Sequence, residues 1–394
     1  MESHYENGTL WIKFEGVINS SNAMDVQDEV LNIFNECEKE HGRLSIVLDM
    51  DDLNYTSSVG LRFLLMLRRR CENARIINAN SVVYDILYVT GFTDIFEVEK
   101  QYRRISVDGC PIIGQGARGT VYRYNDDTIV KVYKNPDSLP EIRKESAYAR
   151  RAFVLGIPTP MTFDIVRVGE CFGTQFELVN ARSYTLLFRD EPENRDLYVN
   201  EYAALLRKIH STDVSGEDFP SIKLFIRDWL ETDKPYLTPE TSEKLNRLLT
   251  ELPDRHTLLH CDFHSNNVLR QNDEPILIDM DTLSYGHPIA DLANIYTTFV
   301  GFGVVNPSIV EQFLGLPYET ARLIWAKFLP AYLQTDNAER IREVEDKAKL
   351  ISYVRLLRHI VRRPTKDTSE GRATVAFCIQ NIKELLPTID TLAF

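Results

Sequence analysis

Cysteine is sparse, six in 394 residues, and the six thiols (Cys37, Cys71, Cys110, Cys171, Cys261 and Cys378) form no CxxC pair and no metal-ligand spacing. That pattern excludes a disulfide frame and a cysteine zinc site, and reads as reduced thiols. The chain also lacks any run of 18 or more uncharged apolar residues. Its first residues, MESHYENG, have neither a basic stretch nor an apolar one, so neither a membrane span nor a signal peptide is expected, and the protein is expected to be cytoplasmic. Positive charge is in deficit too, with 45 Lys and Arg against 58 Asp and Glu and a formal charge of −13. Nucleic acid is therefore not expected as a partner, because phosphate contacts need clustered Lys and Arg. One basic stretch, RLLRHIVRRPTK at 355–366, runs against that balance and reads as the solvated face of a helix ending before Pro364.

The length suits two or three domains, and internal repeats and low-complexity segments are missing. The first hundred residues alternate strand and helix. TLWIKFEGVIN (9–19) alternates like a strand. Asn22 then caps a helix whose Val26, Val30, Ile33, Phe34 and Cys37 share a face. SIVLDM (45–50) predicts a buried strand, DDLNYTSS a polar turn, and LRFLLMLRRRCEN after Gly60 a helix with a basic end. ARIINAN, SVVYDILYVTG and IFEVEK predict a strand, a helix closed by Gly91, and a last strand. VDGCP then interrupts the pattern. Beyond it come a glycine-rich hairpin, strands to about residue 132, a charged helix over 140–153 and strands over 162–179; from Leu197 helical patterns dominate, broken by a short strand pair.

Chemistry concentrates in the second part. IIGQGARGTVYRY sets Gly114, Gly116 and Gly119 in GxGxxG spacing, followed by Val121. A Rossmann turn would open a helix and a Walker loop would need Gly-Lys-Ser/Thr, whereas TVYRY is a strand pattern. The segment reads as a hairpin tip whose backbone N–H groups could close over phosphates. TIVKVYK then places Lys131 in an apolar strand, where an ammonium is costly unless paired. Glu145 and, one helical turn earlier, Glu141 are the candidate partners. HCDFHSNN reads as HxDxxxxN: His260, Asp262, Asn267. Asp262 would orient a hydroxyl and accept its proton; Asn267, with Asp279 returned to it by VLRQNDEPILID, would offer oxygen to Mg²⁺. His260 and His264 lack an HExxH helix, and the acids and amides around them suit magnesium better than zinc, so the histidines are supporting residues.

From about Ile112 onward the chain resembles the aminoglycoside phosphotransferase and choline kinase family, a bilobal protein-kinase-like fold. HCDFHSNNVL is similar to that family's HGDLHPGNVL, ILIDMD to its metal-binding aspartate segment, and GHPIADLANI to its GDPxxDLA segment. The resemblance implies that Asp262 is the catalytic base, Asn267 and Asp279 hold magnesium, Lys131 contacts ATP phosphates and Asp291 braces the catalytic loop. It also implies a hinge at FELVNARSY, where the backbone of Glu177 and Val179 would bind adenine. Cys261 departs from the family's Gly, and Ser265 and Asn266 from its Pro-Gly; Asn tolerates the left-handed conformation a Gly would take.

Residues 1–106 resemble a STAS domain of the anti-sigma-factor antagonist type. LDMDDLNYTSSVGLRFLL matches that family's strand, loop and helix, with Ser58 at its regulatory phosphorylation site and Ser57 where the family often has Asp. Ser58 at a helix start could cap N–H groups, and a phosphate there would add nearly two negative charges.

The expected architecture is an α/β STAS domain, a mixed sheet with helices (1–106), then an α+β bilobal protein-kinase-like domain with an N-lobe at 107–180 and a helical C-lobe at 181–394. The expected activity is ATP- and Mg²⁺-dependent phosphotransfer to a small-molecule hydroxyl, with the STAS domain regulatory or partner-binding and no membrane involvement. Acidic Asp228, Glu231 and Asp233 could receive a cationic acceptor, although each singly also reads as solvated helix surface. Two alternatives stay open: a protein serine kinase acting on a STAS serine such as Ser58, and a non-catalytic nucleotide-binding scaffold for partner switching.

Overall fold

The computed structural model describes residues 1–116 and 118–394. The chain divides into two units, Met1–Ser106 with Ile165–Glu170, and Val107–Asp164 with Cys171–Phe394.

The first unit holds a five-stranded sheet in the order β1-β2-β3-β4-β5: β1 (Glu2–Glu6), β2 (Thr9–Ile18), β3 (Ser45–Thr56), β4 (Ala74–Ala79) and β5 (Glu97–Lys100). β1 pairs antiparallel with β2 and the other neighbours are parallel, so the sheet is mixed. Helices α1 (Ala23–His41), α2 (Ser58–Arg70) and α3 (Ser81–Val89) supply its apolar cover. Alternation in β2 buries Leu10, Ile12 and Phe14, which share one core with Leu48 of β3, Phe34 of α1 and Leu67 of α2. One strand, β1, was not expected, and two expectations are corrected. β1 carries no apolar signal, because all five of its residues are exposed. The DDLNYT segment is not a turn but the second half of β3: Leu53 and Thr56 are buried, and two register shifts keep it paired with β2. Asn22 occupies the cap position of α1, yet its amide oxygen accepts from the Asn19 N–H (2.8 Å) rather than from the helix.

The second unit opens with the sheet β6-β7-β8-β10-β9, antiparallel from β6 to β10: β6 (Ile112–Gln115), β7 (Gly119–Arg123), β8 (Thr128–Tyr133), β9 (Thr162–Val168, of which residues 165–168 group with the first unit) and β10 (Cys171–Glu177). Helix α4 (Leu139–Val154) lies between β8 and β9 in sequence and buries Ile142, Glu145, Ser146, Ala149 and Ala152 along one face. The helical part follows: α5 (Tyr184–Asp190), α6 (Arg195–His210), α7 (Ile222–Asp233) and α8 (Pro239–Thr250). After it α9 (Ile289–Tyr296) runs through a π turn, Thr297–Gly301, into α10 (Phe302–Val305), and α11 (Pro307–Leu314), α12 (Tyr318–Leu333), α13 (Ala338–Val361) and α14 (Ser369–Leu385) complete the chain. Where one strand pair was expected there are five short strands, β11 (Arg182–Ser183), β12 (Leu258–Leu259), β13 (Val268–Gln271), β14 (Glu274–Leu277) and β15 (Ser284–Tyr285), forming β11-β13-β14 and β12-β15. Tyr202, Phe263, Phe299 and Phe328 pack ring against ring at the centre of this part, which fixes the loop carrying Phe263.

Candidate active site

The glycine hairpin is formed by β6 and β7. Gly119 is required by packing: a Cβ there would lie 2.5 Å from the Val132 carbonyl oxygen of β8. Gly114 pairs with half-buried Val121, and the Gly116 carbonyl accepts from Lys134 Nζ at 2.8 Å. Side-chain-free backbone is thus held at the hairpin by its strands.

Lys131 faces two carboxylates. Its Nζ lies 2.7 Å from Glu145 Oε1 and 3.1 Å from Asp279 Oδ1. Glu145, not Glu141, is the partner, because it lies on the buried face of α4 while Glu141 is exposed. The Tyr133 hydroxyl donates to the other oxygen of Glu145. Burial works against the Lys131 ammonium, but the charges of Glu145 and Asp279 outweigh it and hold the pKa above its ordinary value.

The loop between β12 and β13 is held from several sides. Asp291, fully buried on α9, accepts the backbone N–H of His260 at 2.9 Å and of Cys261 at 2.6 Å, and its Oδ2 is 3.0 Å from His210 Nε2. Burial pushes the Asp291 carboxyl up, yet the hydrogen bond and charge of His210 prevail and hold it below the usual range. His260 Nδ1 accepts from the Asp262 N–H at 3.3 Å, its carbonyl accepts from the Thr282 hydroxyl at 2.7 Å, and burial lowers its pKa. Thr185 and Ser265 join hydroxyls at 2.6 Å. Burial would raise the Asp262 carboxyl, but His264, with Nε2 3.6 Å away, and the charge of Arg355 hold it well below the usual carboxylate range. Asp262 is consequently a half-buried carboxylate that stays ionised.

Asn267 donates its amide to the Asp262 carbonyl oxygen at 3.1 Å and to its carboxylate at 3.5 Å. The Ile278 N–H bonds to the Asn267 carbonyl at 2.9 Å, which ties the residue preceding Asp279 to Asn267. Asp279 has φ +65° and Cys261 φ +63°, two non-glycine residues in the left-handed region beside the same loop. Glu145, Asp279 and Asp281 offer carboxylate oxygens all within 4.8 Å of one another. That donor set is all oxygen and contains no histidine, which suits a hard cation such as magnesium rather than zinc.

Sequence reasoning missed several residues here. Asp281, two positions past Asp279 in ILIDMD, joins the carboxylate group and pairs with Arg118 of the hairpin; its spacing was the available signal. His210 lies 81 residues from Asp291 and has no local signature. Arg355 belongs to the basic stretch read as solvated, but it is half-buried, with Nη1 3.4 Å from the Cys261 carbonyl oxygen. At the expected hinge the Glu177 N–H bonds to the Met161 carbonyl at 2.9 Å, and Val179 is half-buried.

The acidic residues of α7 do not form a cation site. Asp228 is taken by Arg358 (2.8 Å) and Arg362 (3.0 Å), and Glu231 lies 3.8 Å from Lys234. Asp233 is neither a receiver nor surface: it is fully buried, neither carboxylate oxygen has a hydrogen-bond partner among the described residues, and burial pushes its pKa up to about 8. In the first unit Ser58 is exposed as the first residue of α2, and Ser57 rather than Ser58 holds the cap position.

A strand lysine bridged to a helix glutamate, beside a loop aspartate and an oxygen-rich acidic group, defines a protein-kinase-like fold. The sequence profile described as the Phosphotransferase enzyme family matches residues 109–323, and that of the STAS domain matches 2–105. The chain belongs to the Phosphotransferase enzyme family and carries an N-terminal STAS domain. Over 96 residues it is 28% identical to BtrV of Bordetella bronchiseptica, which bears the name of an anti-sigma factor antagonist; the match covers 23% of this chain and 78% of BtrV. Among solved structures it is similar to the ADP-bound aminoglycoside phosphotransferase APH(2'')-Ib, at 16% identity and TM-score 0.48, covering 70% of this chain and 93% of that one. A choline/ethanolamine kinase family protein from Mesorhizobium loti is similar at 16% identity and TM-score 0.47, covering 70% and 87%. Among the described residues, no helix is long and apolar enough to cross a membrane.

Proposed function

We propose that the second unit transfers the γ-phosphoryl group of ATP to a hydroxyl of a small molecule, and that the STAS domain binds a protein partner or regulates the transfer. The observation that carries this reading is the position of Lys131, bonded to Glu145 at 2.7 Å and to Asp279 at 3.1 Å. Lys131 would bind α- and β-phosphate oxygens with Glu145 fixing its ammonium, and the backbone of Gly114, Gly116 and Gly119 would cover the phosphates. Asp262, kept ionised, would orient the acceptor hydroxyl and take its proton, while Asp291 and His260 hold the loop. Asp279 and Asn267, with Asp281 near, would hold magnesium, which supplies charge neutralisation along the phosphates when bound. Most of the acceleration would come from positioning and charge, so few other groups are required.

The test is transfer of label from γ-labelled ATP, with magnesium, to a panel of amino alcohols, sugars, hydroxy acids and aminoglycosides. Transfer that Asp262→Asn abolishes supports the reading; ATP binding with no transfer to any acceptor favours the scaffold alternative. A second reading, phosphorylation of Ser58, draws on its exposure at the start of α2. Intact mass after incubation with ATP and magnesium separates it, since an unshifted chain counts against it.

A further inference from the structure

A cavity of about 490 Å³ in the second unit has an apolar wall from α7, where Ile222, Phe225 and Trp229 follow one another at helical spacing, and a polar edge from Cys261, Ser284 and Arg355. Phe225 is 40% exposed there, so part of that wall is uncovered. Arg355 reaches it from α13 and lies across the Trp229 ring, with Cζ 5.7 Å from its centroid. We infer that the acceptor carries an anionic group, a carboxylate or a phosphate, beside an apolar portion, and that Arg355 and Trp229 receive the two.

What Arg355 lacks points to this class. Its one hydrogen bond among the described residues is the long contact of 3.4 Å to the Cys261 carbonyl, and no ion pair to a carboxylate accompanies it. Arg358 on the same helix and Arg362 just past its end have such a partner in Asp228. Burial lowers the Arg355 pKa, and the charges of Asp262 and Asp291, neither of them in ion-pair contact with it, offset that only in part. Of the other charged residues lining the cavity, Arg118 pairs with Asp281, and Glu141 and Lys144 are of opposite sign. An incoming ammonium would face a guanidinium that has no carboxylate in ion-pair contact among the described residues, whereas a carboxylate or phosphate would supply the two parallel acceptors that a guanidinium fork matches. Because Arg355 is bonded to the carbonyl of the residue next to Asp262, a hydroxyl a few bonds from the anionic group would come within reach of that carboxylate.

This substrate class rests on the transferase reading only for the role of acceptor. Its test is therefore equilibrium binding without ATP, by calorimetry on the full chain. The probes are 3-phenyllactate, 3-phenylpropane-1,2-diol and phenylalaninol, matched in shape but anionic, neutral and cationic, together with glycerol 3-phosphate and glycerol. Phenyllactate should bind about tenfold more tightly than the diol, and phenylalaninol least. Arg355→Gln should erase the preference and Arg355→Lys keep part of it. Comparison of phenyllactate with glycerol 3-phosphate separates a carboxylate from a phosphate. If the Arg355 variants do not fold, Trp229→Leu should weaken phenyllactate more than glycerol 3-phosphate. Tighter binding of phenylalaninol, a preference that survives Arg355→Gln, or no binding of any probe at tens of millimolar overturns the inference. Arg355-dependent anion binding without phosphoryl transfer would overturn the transferase reading and leave this one standing.

Discussion

Replacing Asp233 by Asn should stabilise the second unit, and by an amount that depends on pH in a defined way. Asp233 is fully buried at the end of α7, both its oxygens lack hydrogen-bond partners among the described residues, and burial raises its pKa from 3.8 to about 8. A carboxyl whose folded pKa is raised must take up a proton on folding at any pH between the two values. Its cost is absent below the unfolded pKa, grows as pH rises, and levels off above the folded pKa. At about 1.4 kcal/mol per pH unit, the cost is about 4 kcal/mol at pH 7 and about 6 kcal/mol above pH 8. Asn keeps the shape and needs no proton, so Asp233→Asn should gain nearly these amounts at pH 7 to 9 and nothing near pH 4. The assay is urea unfolding followed by tryptophan fluorescence in a Trp11→Phe background, which leaves Trp229 and Trp325, both in the second unit, as reporters. A variant that is less stable than its parent at pH 8, or a difference that does not change with pH, would refute the reasoning.

Lys131→Met should keep the fold, because the apolar strand accepts Met, and lower kcat/KM by on the order of a hundredfold or more in an ADP-release assay. Asp291→Ala strips two backbone N–H groups and His210 of their acceptor and should cost about 3–5 kcal/mol in the same urea measurement. Cys261→Gly should stabilise by about 1 kcal/mol, since φ +63° is strained for any residue with a Cβ. The Cys261 thiol, pushed far above its usual pKa by burial, should resist iodoacetamide at neutral pH.

The parts of the fold legible in the sequence were those set by local pattern. Alternation in β2, the glycine hairpin, and the strand-turn-strand of β13 and β14 all appear in the letters themselves. Lys131 was legible as a strand lysine in need of a partner, but the choice between Glu141 and Glu145 depended on which face of α4 is buried. The rest was hidden by distance along the chain. Arg355 and Asp233 look like surface charges because nothing nearby in sequence covers them; Arg355 is covered by Trp229 and the Cys261 loop, more than ninety residues before it. Asp228 looked free for a cation until α13 and its C-terminal cap brought Arg358 and Arg362 to it. The second half of β3 was missed because its polar letters hide two buried positions, Leu53 and Thr56.

The fate of the γ-phosphate tests the central claim most directly. The full chain is incubated with γ-labelled ATP, magnesium and a soluble acceptor pool, and label is counted separately on small molecules, on the protein and in free phosphate. Label is expected on a hydroxyl compound, and should be lost in Asp262→Asn. Label confined to the protein, or to free phosphate at a rate that Asp262→Asn leaves unchanged, would contradict phosphoryl transfer to a small-molecule hydroxyl.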